Sequence, residues 1–291
     1  MRWRVAVSTG CCINTPVLTT LQAFHDAGVH AVELATPPRH FDPWRHDEVV
    51  GLGHRLRELR MTPVAMHAPF GGLLDLTDPN PHHRHATIGA ILTAASALRE
   101  LGGTRVVVHV SDALRRVDDV DERVARGADA LKVLARACMH MDAQLLVETP
   151  MAHLVGGHPD EFAAMMRPLD HAVGVCLDTS HATLGHHWDA FLRVAGPRLA
   201  HVHVNDHRGH TDDHLPPGDG LIDWAMIRAS LSNAGFDGWL VLDLSCPGGP
   251  LDEFVAGAMR RMQQIFDPQD PGAPSVRPTH AHAGRPHRGA V

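Results

Sequence analysis

Apolar residues along the chain fall into short continuous runs separated by longer stretches in which they recur every three or four positions. The short runs are Arg4–Val7, Ala31–Leu34, Pro63–Met66, Arg105–Val110, Gln144–Val147, Val173–Leu177, Ala200–Val204 and Trp239–Leu244. Runs rich in β-branched and aliphatic residues, with little polar alternation, read as parallel strands covered on both faces. The longer stretches include Thr15–Ala27, His46–Arg60, His83–Leu101 and Val120–Met141. In the last of these, Val124, Ala128, Leu131, Leu134, Ala135 and Cys138 mark one helical face. Eight strand–helix units predict a single α/β domain, a closed (β/α)8 TIM barrel rather than an open doubly wound sheet. The length of 291 residues fits one such barrel. No GxGxxG follows the first strand, so a dinucleotide fold is not indicated. The predicted barrel occupies residues 1–266. Residues 267–291, rich in Pro, Gly, Ala and His without an apolar period, predict a disordered tail. His280, His282 and His287 in that tail read as solvated side chains rather than metal ligands.

Composition narrows the function classes. A net charge of -7 is a poor match to a nucleic-acid binder. The first residues, MRWRVAVSTG, lack a signal-like apolar stretch, and no apolar run has the length of a membrane span. The five cysteines form no CxxC pair and read as reduced thiols of a cytoplasmic protein. Histidine stands out: there are 25, against a single lysine, Lys132. Compositional bias accounts for the number of histidines but not for their positions.

Those positions coincide with the ends of the strand-like runs. Glu33 follows Ala31-Val32, His67 follows Met66, and His109 lies in VVVHVS. Glu148 ends LLVETP, and VCLDTSHA carries Asp178 and His181. HVHVND carries His201, His203 and Asp206, and LVLDLS carries Asp243. Successive landmarks lie about one strand–helix unit apart. In a parallel barrel all these ends share one rim, where barrel active sites sit. One histidine or aspartate at a strand end would be ordinary. Gathering this many carboxylates and imidazoles is unfavourable unless a cation compensates. A divalent metal is therefore expected, and imidazole with carboxylate and without thiolate suits Zn, Mn, Fe or Co better than Ca or Mg. Cys176 is spaced to line the bore as a small filler. The segment NDHRGHTDDHLPPGDGLIDW, Asn205–Trp224, adds Asp212 and His214, which an extended loop points the same way. Asp223 is placed to cap a helix beginning near Trp224.

On these residues the sequence resembles the xylose isomerase-like barrel superfamily, which includes endonuclease IV and related sugar isomerases and epimerases. The resemblance runs from about Arg4 to Phe266. It implies up to three divalent metals, zinc or manganese, in the barrel mouth. His67, His109 and Glu148 would hold the first, and Glu148, Asp178, His203 and Asp243 the second. His181, Asp212 and His214 would hold the third. DTSH matches an Asp-x-x-His motif of the family and DDH its Asp-x-His; Asp243 stands where the family usually has Glu.

Two activities follow from the resemblance. The first is metal-dependent hydrolysis of a small-molecule phosphoester, in which several metals polarise the phosphate and activate water, with Glu148, Asp243 and His214 as catalytic residues. The alternative is a one-metal sugar or sugar-phosphate isomerase or epimerase with Glu148 and Asp243 as the acid–base pair. Having His214 where the sugar enzymes tend to carry Arg, together with His67 and His109, favours the hydrolase. Glu33, Phe70 and Arg208 are candidate substrate contacts, Arg208 as a replacement for that Arg. Duplex DNA is disfavoured as a substrate: there is no tyrosine, aromatic content is 4%, and Phe70 alone resembles a wedge. Specificity is expected in the rim loops Ala68–Pro81 and Pro150–Pro159.

Overall fold

The computed structural model describes residues 3–267. Eight strands alternate with helices in the order β1 (Arg4–Ser8), α1 (Val17–Asp26), β2 (Ala31–Ala35), α2 (His46–Glu58), β3 (Thr62–His67), α3 (Pro81–Glu100), β4 (Arg105–Val108), α4 (Val120–His140), β5 (Gln144–Glu148), α5 (Pro159–Met166), β6 (Gly174–Asp178), α6 (Thr179–Leu184), α7 (Trp188–Ala195), β7 (Leu199–Val204), α8 (Trp224–Asn233), β8 (Trp239–Leu242) and α9 (Leu251–Phe266). Every neighbouring pair is parallel, and β1 pairs with β8 to close the barrel. The expected (β/α)8 architecture is therefore present. Of the segment expected to be a tail, only Asp267 lies within the described residues.

The predicted elements agree at their centres and differ at their ends. β4 stops at Val108 and β8 at Leu242, so His109 and Asp243 lie one residue beyond the ladder. α3 starts at Pro81 instead of His83, because the Asn80 side chain accepts from the His82 amide and proline fits the first turn. Asp223 caps α8, its side chain accepting from the Met226 amide. The short helices α5, α6 and α7 escape a period count, since each offers barely two turns over which to see it.

Strand alternation builds two cores and the site together. Outward residues such as Val7, Leu34, Val106, Val147, Leu177, Val202 and Leu240 join the helices in the main apolar cluster. Inward residues are smaller: Ala6, Ala31, Ala65, Val107, Leu146, Cys176 and Val241 fill the bore. Cys176 is thus the bore filler its spacing suggested. Two positions further along their strands, on the same face, come His67, His109, Glu148, Asp178 and Asp243. The bore residues are a floor, and the chemistry stands on it.

All five cysteines are free. Among the described residues no helix is long and apolar enough to cross a membrane.

Candidate metal centre

Three groups of potential ligand atoms converge at the mouth, those within each group lying within 4.8 Å of one another: His67, His109 and Glu148; Glu148, Asp178 and His181; Asp178, His203 and Asp243. Glu148 belongs to two groups, and so does Asp178. Asp212, from the loop between β7 and α8, adds a further contact: its Oδ2 lies 3.1 Å from His181 Nε2 and 2.9 Å from His214 Nε2. All nine residues expected as ligands are therefore brought to one rim.

The orientation of the imidazoles is the most informative feature. Each has one nitrogen held by an acceptor and the other turned to a carboxylate of the cluster. His67 Nδ1–H donates to the Ala68 carbonyl at 3.1 Å, and Nε2 faces Glu148 Oε2 at 3.1 Å. His109 Nδ1–H donates to Asp112 Oδ1 at 3.1 Å, and Nε2 faces Glu148 Oε2 at 3.0 Å. His181 Nδ1–H donates to the Thr149 carbonyl at 2.8 Å, and Nε2 faces Asp212. His214 Nδ1–H donates to the Asp243 carbonyl at 2.9 Å, and Nε2 also faces Asp212. His203 is the reverse: Nε2–H donates to Glu33 Oε1 at 3.0 Å, and Nδ1 faces Glu148 Oε1 at 2.9 Å. Metal-ligating histidines are oriented in this way by outer partners. The carboxylates are held as well. Asp178 Oδ1 accepts from the His181 amide at 2.8 Å and Oδ2 from Asn205 Nδ2–H at 2.8 Å. Asp212 Oδ1 is buried and has no partner among the described residues. The donor set, the outer contacts and this unpartnered oxygen fit divalent cations.

Electrostatics point the same way. Burial alone would raise Glu148, but His203 and His109 outweigh it and hold the carboxyl well below its ordinary range. Burial would likewise raise Asp212, and His181 and His214 reverse that. Asp178 is raised, first by burial, with Asp212 and Glu148 adding to it against His181 and His203. Burial would lower the histidines, but the carboxylates prevail. His109 rises to about 9 beside Glu148 and Asp112. His181 rises to about 10 beside Asp178 and Asp212, and His214 to about 11 beside Asp212 and Asp243. The cluster stores enough negative charge to hold these imidazoles protonated, and a divalent cation would take over that role.

The candidate substrate contacts fare differently. Phe70 is half exposed at the lip, its ring centroid 4.8 Å from that of His67 and 4.3 Å from that of His109. Glu33 is not at the mouth. A register shift between β2 and β3 sets it beside Ala65, in the bore layer, and brings Ala35 level with His67. Both its oxygens are occupied by histidines, so it is corrected from a substrate contact to a residue beneath the site. Arg208 lies on the loop that follows β7. Its exposed guanidinium lies 3.8 Å from Asp213, and among the described residues it makes no hydrogen bond or ion pair to the cluster.

Other participants were not singled out in the sequence. Asp112, Thr149 and Asn205 orient ligands, and an Asp three residues after a histidine was the one available signal. Asp206, a ligand-type residue by position, is instead the anchor of its loop. It accepts from the amides of His207, Gly218 and Ile222 at 2.9, 2.9 and 3.1 Å and from Trp224 Nε1–H at 2.8 Å.

With this fold and site in view, the comparisons with known proteins place the chain. The xylose isomerase-like TIM barrel family matches residues 21–265, and the chain belongs to that family. An uncharacterized protein of Methanocaldococcus jannaschii is 24% identical over 195 residues, 65% of this chain and 66% of that one. A probable endonuclease 4 of Thermoplasma acidophilum is 24% identical over 201 residues, 64% and 68% of the two chains. An inosose dehydratase of Klebsiella pneumoniae is 26% identical over 152 residues, 43% and 48%. The chain spans two thirds or less of the length of the first curated relatives it matches, down to 35%. Among solved structures, a D-tagatose 3-epimerase-like protein superposes with a TM-score of 0.78 at 19% identity, covering 91% of this chain and 98% of that one. An L-ribulose 3-epimerase gives 0.77 at 17% identity, covering 92% and 95%. At these identities the structural likeness speaks to the fold.

Proposed function

We propose that this chain is a divalent-metal-dependent isomerase or epimerase acting on a small polyhydroxylated carbonyl compound. The observation that carries the reading is the position of Glu148 and Asp243 around the Asp178–His203 pair. Glu148, on β5, has a carboxylate oxygen within 4.8 Å of Asp178, and Asp243, just past β8, lies within the same distance of Asp178 and His203. Two carboxylates thus flank the Asp178–His203 pair, from strands three apart on the rim. Proton removal beside a carbonyl, followed by return of a proton, needs such a pair. A cation held by Glu148, Asp178, His203 and Asp243, manganese or zinc by the donor chemistry, would polarise the carbonyl and its neighbouring hydroxyl. Glu148 takes the proton from the substrate carbon, and Asp243 delivers one from the other side. Phe70 covers one wall of the mouth and sheds water from it. The ketose epimerases and the inosose dehydratase among similar proteins support this choice over the hydrolase that the sequence alone favoured. The free cysteines fit a reducing compartment, and the proposal places the protein in the cytoplasm.

A second reading retains a specific observation. His67, His109, His181, Asp212 and His214 are oriented as ligands, and a one-metal proton transfer does not use them. They favour up to three cations and hydrolysis of a small phosphoester. One experiment separates the two. The protein is reconstituted with Mn2+ or Zn2+, its metal content is measured, and it is incubated with ketoses in deuterated water. Deuterium entering the substrate beside the carbonyl supports the isomerase. Phosphate release from simple phosphoesters without exchange, at two or more metals per chain, replaces it with the hydrolase.

A further inference from the structure

Beneath the mouth lies a polar layer of which the proposed site uses only His203. Glu33, Cys176, His201 and His203 are all sealed from solvent, in a bore otherwise floored by Ala6, Ala31, Ala65 and Val241. A buried carboxylate is costly unless it is paired and hydrogen-bonded. Here both oxygens are engaged: His203 Nε2–H donates to Oε1 at 3.0 Å and His201 Nε2–H donates to Oε2 at 2.9 Å. An ionised carboxylate can only accept. Both imidazoles must therefore carry hydrogen on Nε2. His203 is left with Nδ1 directed at Glu148 Oε1, 2.9 Å away, and towards Asp178 Oδ2 at 4.0 Å. His201 is left with a buried Nδ1 that has no partner among the described residues.

We infer that Glu33, braced by His201, is a positioning residue that fixes the tautomer and ring orientation of His203, so that Nδ1 is presented as a metal ligand. The inference rests on His203 being a ligand in the proposed site, and not on which reaction follows. Glu33 supplies the outer carboxylate of a carboxylate–histidine–metal arrangement. His201 has a separate task. By occupying the second oxygen it stops the carboxylate from turning away.

The Glu33→Gln substitution exposes the mechanism, because a side-chain amide has one accepting oxygen and one donating nitrogen. Whichever imidazole meets the NH2 group must move its proton to Nδ1. At His203 this blocks the ligand atom; at His201 it buries an N–H without an acceptor. The test titrates the full-length, metal-depleted chain with Mn2+ by calorimetry. Glu33→Gln should weaken binding about 10- to 100-fold. Glu33→Gln/His201→Gln should recover most of that loss. In the double variant the new amide oxygen at position 201 accepts from the NH2 group introduced at position 33, whose carbonyl is then free to accept from His203. Wild-type affinity in Glu33→Gln, with affinity lost in His203→Ala, overturns the positioning role and leaves the metal site standing. Wild-type affinity in His203→Ala overturns the metal reading and this inference with it. Should Glu33→Gln fail to fold, 15N resonances of the wild-type chain loaded with Zn2+ decide: a proton on His203 Nε2 supports the inference, and one on Nδ1 overturns it.

Discussion

Loading the site with metal should expel protons, and the number expelled should report how many cations the mouth holds. The carboxylates raise His109 to about 9, His181 to about 10 and His214 to about 11. Burial opposes each rise, and His203 is held well above its ordinary value beside Cys176, Glu148 and Glu33. Near neutral pH these four imidazoles are protonated in the chelated chain, and a nitrogen must lose its proton to bind metal. Filling the whole cluster should therefore release about four protons, and filling only the Glu148–Asp178–His203–Asp243 set about one. Calorimetric titration with Zn2+ or Mn2+ in two buffers of different ionisation enthalpy counts them. The sign for stability follows from linkage. These folded values lie above the unfolded one, so the protonated histidines stabilise the chelated protein fully below about pH 6.5. That contribution is lost as pH rises through about 9 to 11. For His109 alone it is on the order of 3 kcal/mol, from 6.5 to about 9. Metal affinity runs the other way and strengthens with pH, so the gap in Tm between loaded and chelated protein should widen from about pH 6.5 upward. Metal binding that is accompanied by no proton release near neutral pH refutes the reasoning.

Four further outcomes are expected. Glu148→Gln should reduce turnover by roughly 10^2- to 10^4-fold, because it removes both a proposed base and a carboxylate shared by two ligand groups; steady-state kinetics with metal analysis checks both effects. Asp206→Ala should cost about 2–3 kcal/mol by leaving its buried donors unpaired, seen as a lower denaturation midpoint and proteolysis within residues 207–223. Gly220→Ala should disturb the same loop, since an added Cβ would come within 2.2 Å of Asp206 Oδ1. Phe70→Ala should raise KM while leaving metal stoichiometry unchanged, since the ring lies over His67 and His109 without contributing a ligand.

Much of this site is legible in the chain because a parallel barrel converts sequence into position by simple rules. An inward filler such as Leu146 or Val241, followed two residues later by Glu148 or Asp243, announces a side chain standing on the bore layer. What resists reading is register and direction. Glu33 follows the inward Ala31 by two residues, as His67 follows Ala65, yet it pairs level with Ala65 while Ala35 stands level with His67, and no residue pattern marks that register. Arg208 and Asp206 sit two residues apart in one loop. One faces solvent and the other is wholly buried, because the hairpin pairing of Asp206 with Leu215 sets the turn. Thr149 contributes through its carbonyl, a group that every residue carries and that no composition reveals.

The ligand-type residues come from β3, β5, β6 and β7, from just past β4 and β8, from the start of α6, and from the loop after β7; β1 and β2 supply none. The barrel is thus a hoop with a clasp. The proposed cation would tie four consecutive staves, β5 to β8, into one arc, and a fully loaded cluster six, while the seam through β1 and β2 brings no ligand and is held by backbone ladders, apolar contacts and the hydrogen bonds of Glu33 to His201 and His203. Loading would strengthen the arc directly and reach the seam only through Glu33, so the first opening of the hoop belongs at the seam. New chain ends or inserted segments are best tolerated there, and cutting the arc would separate the two halves of the clasp.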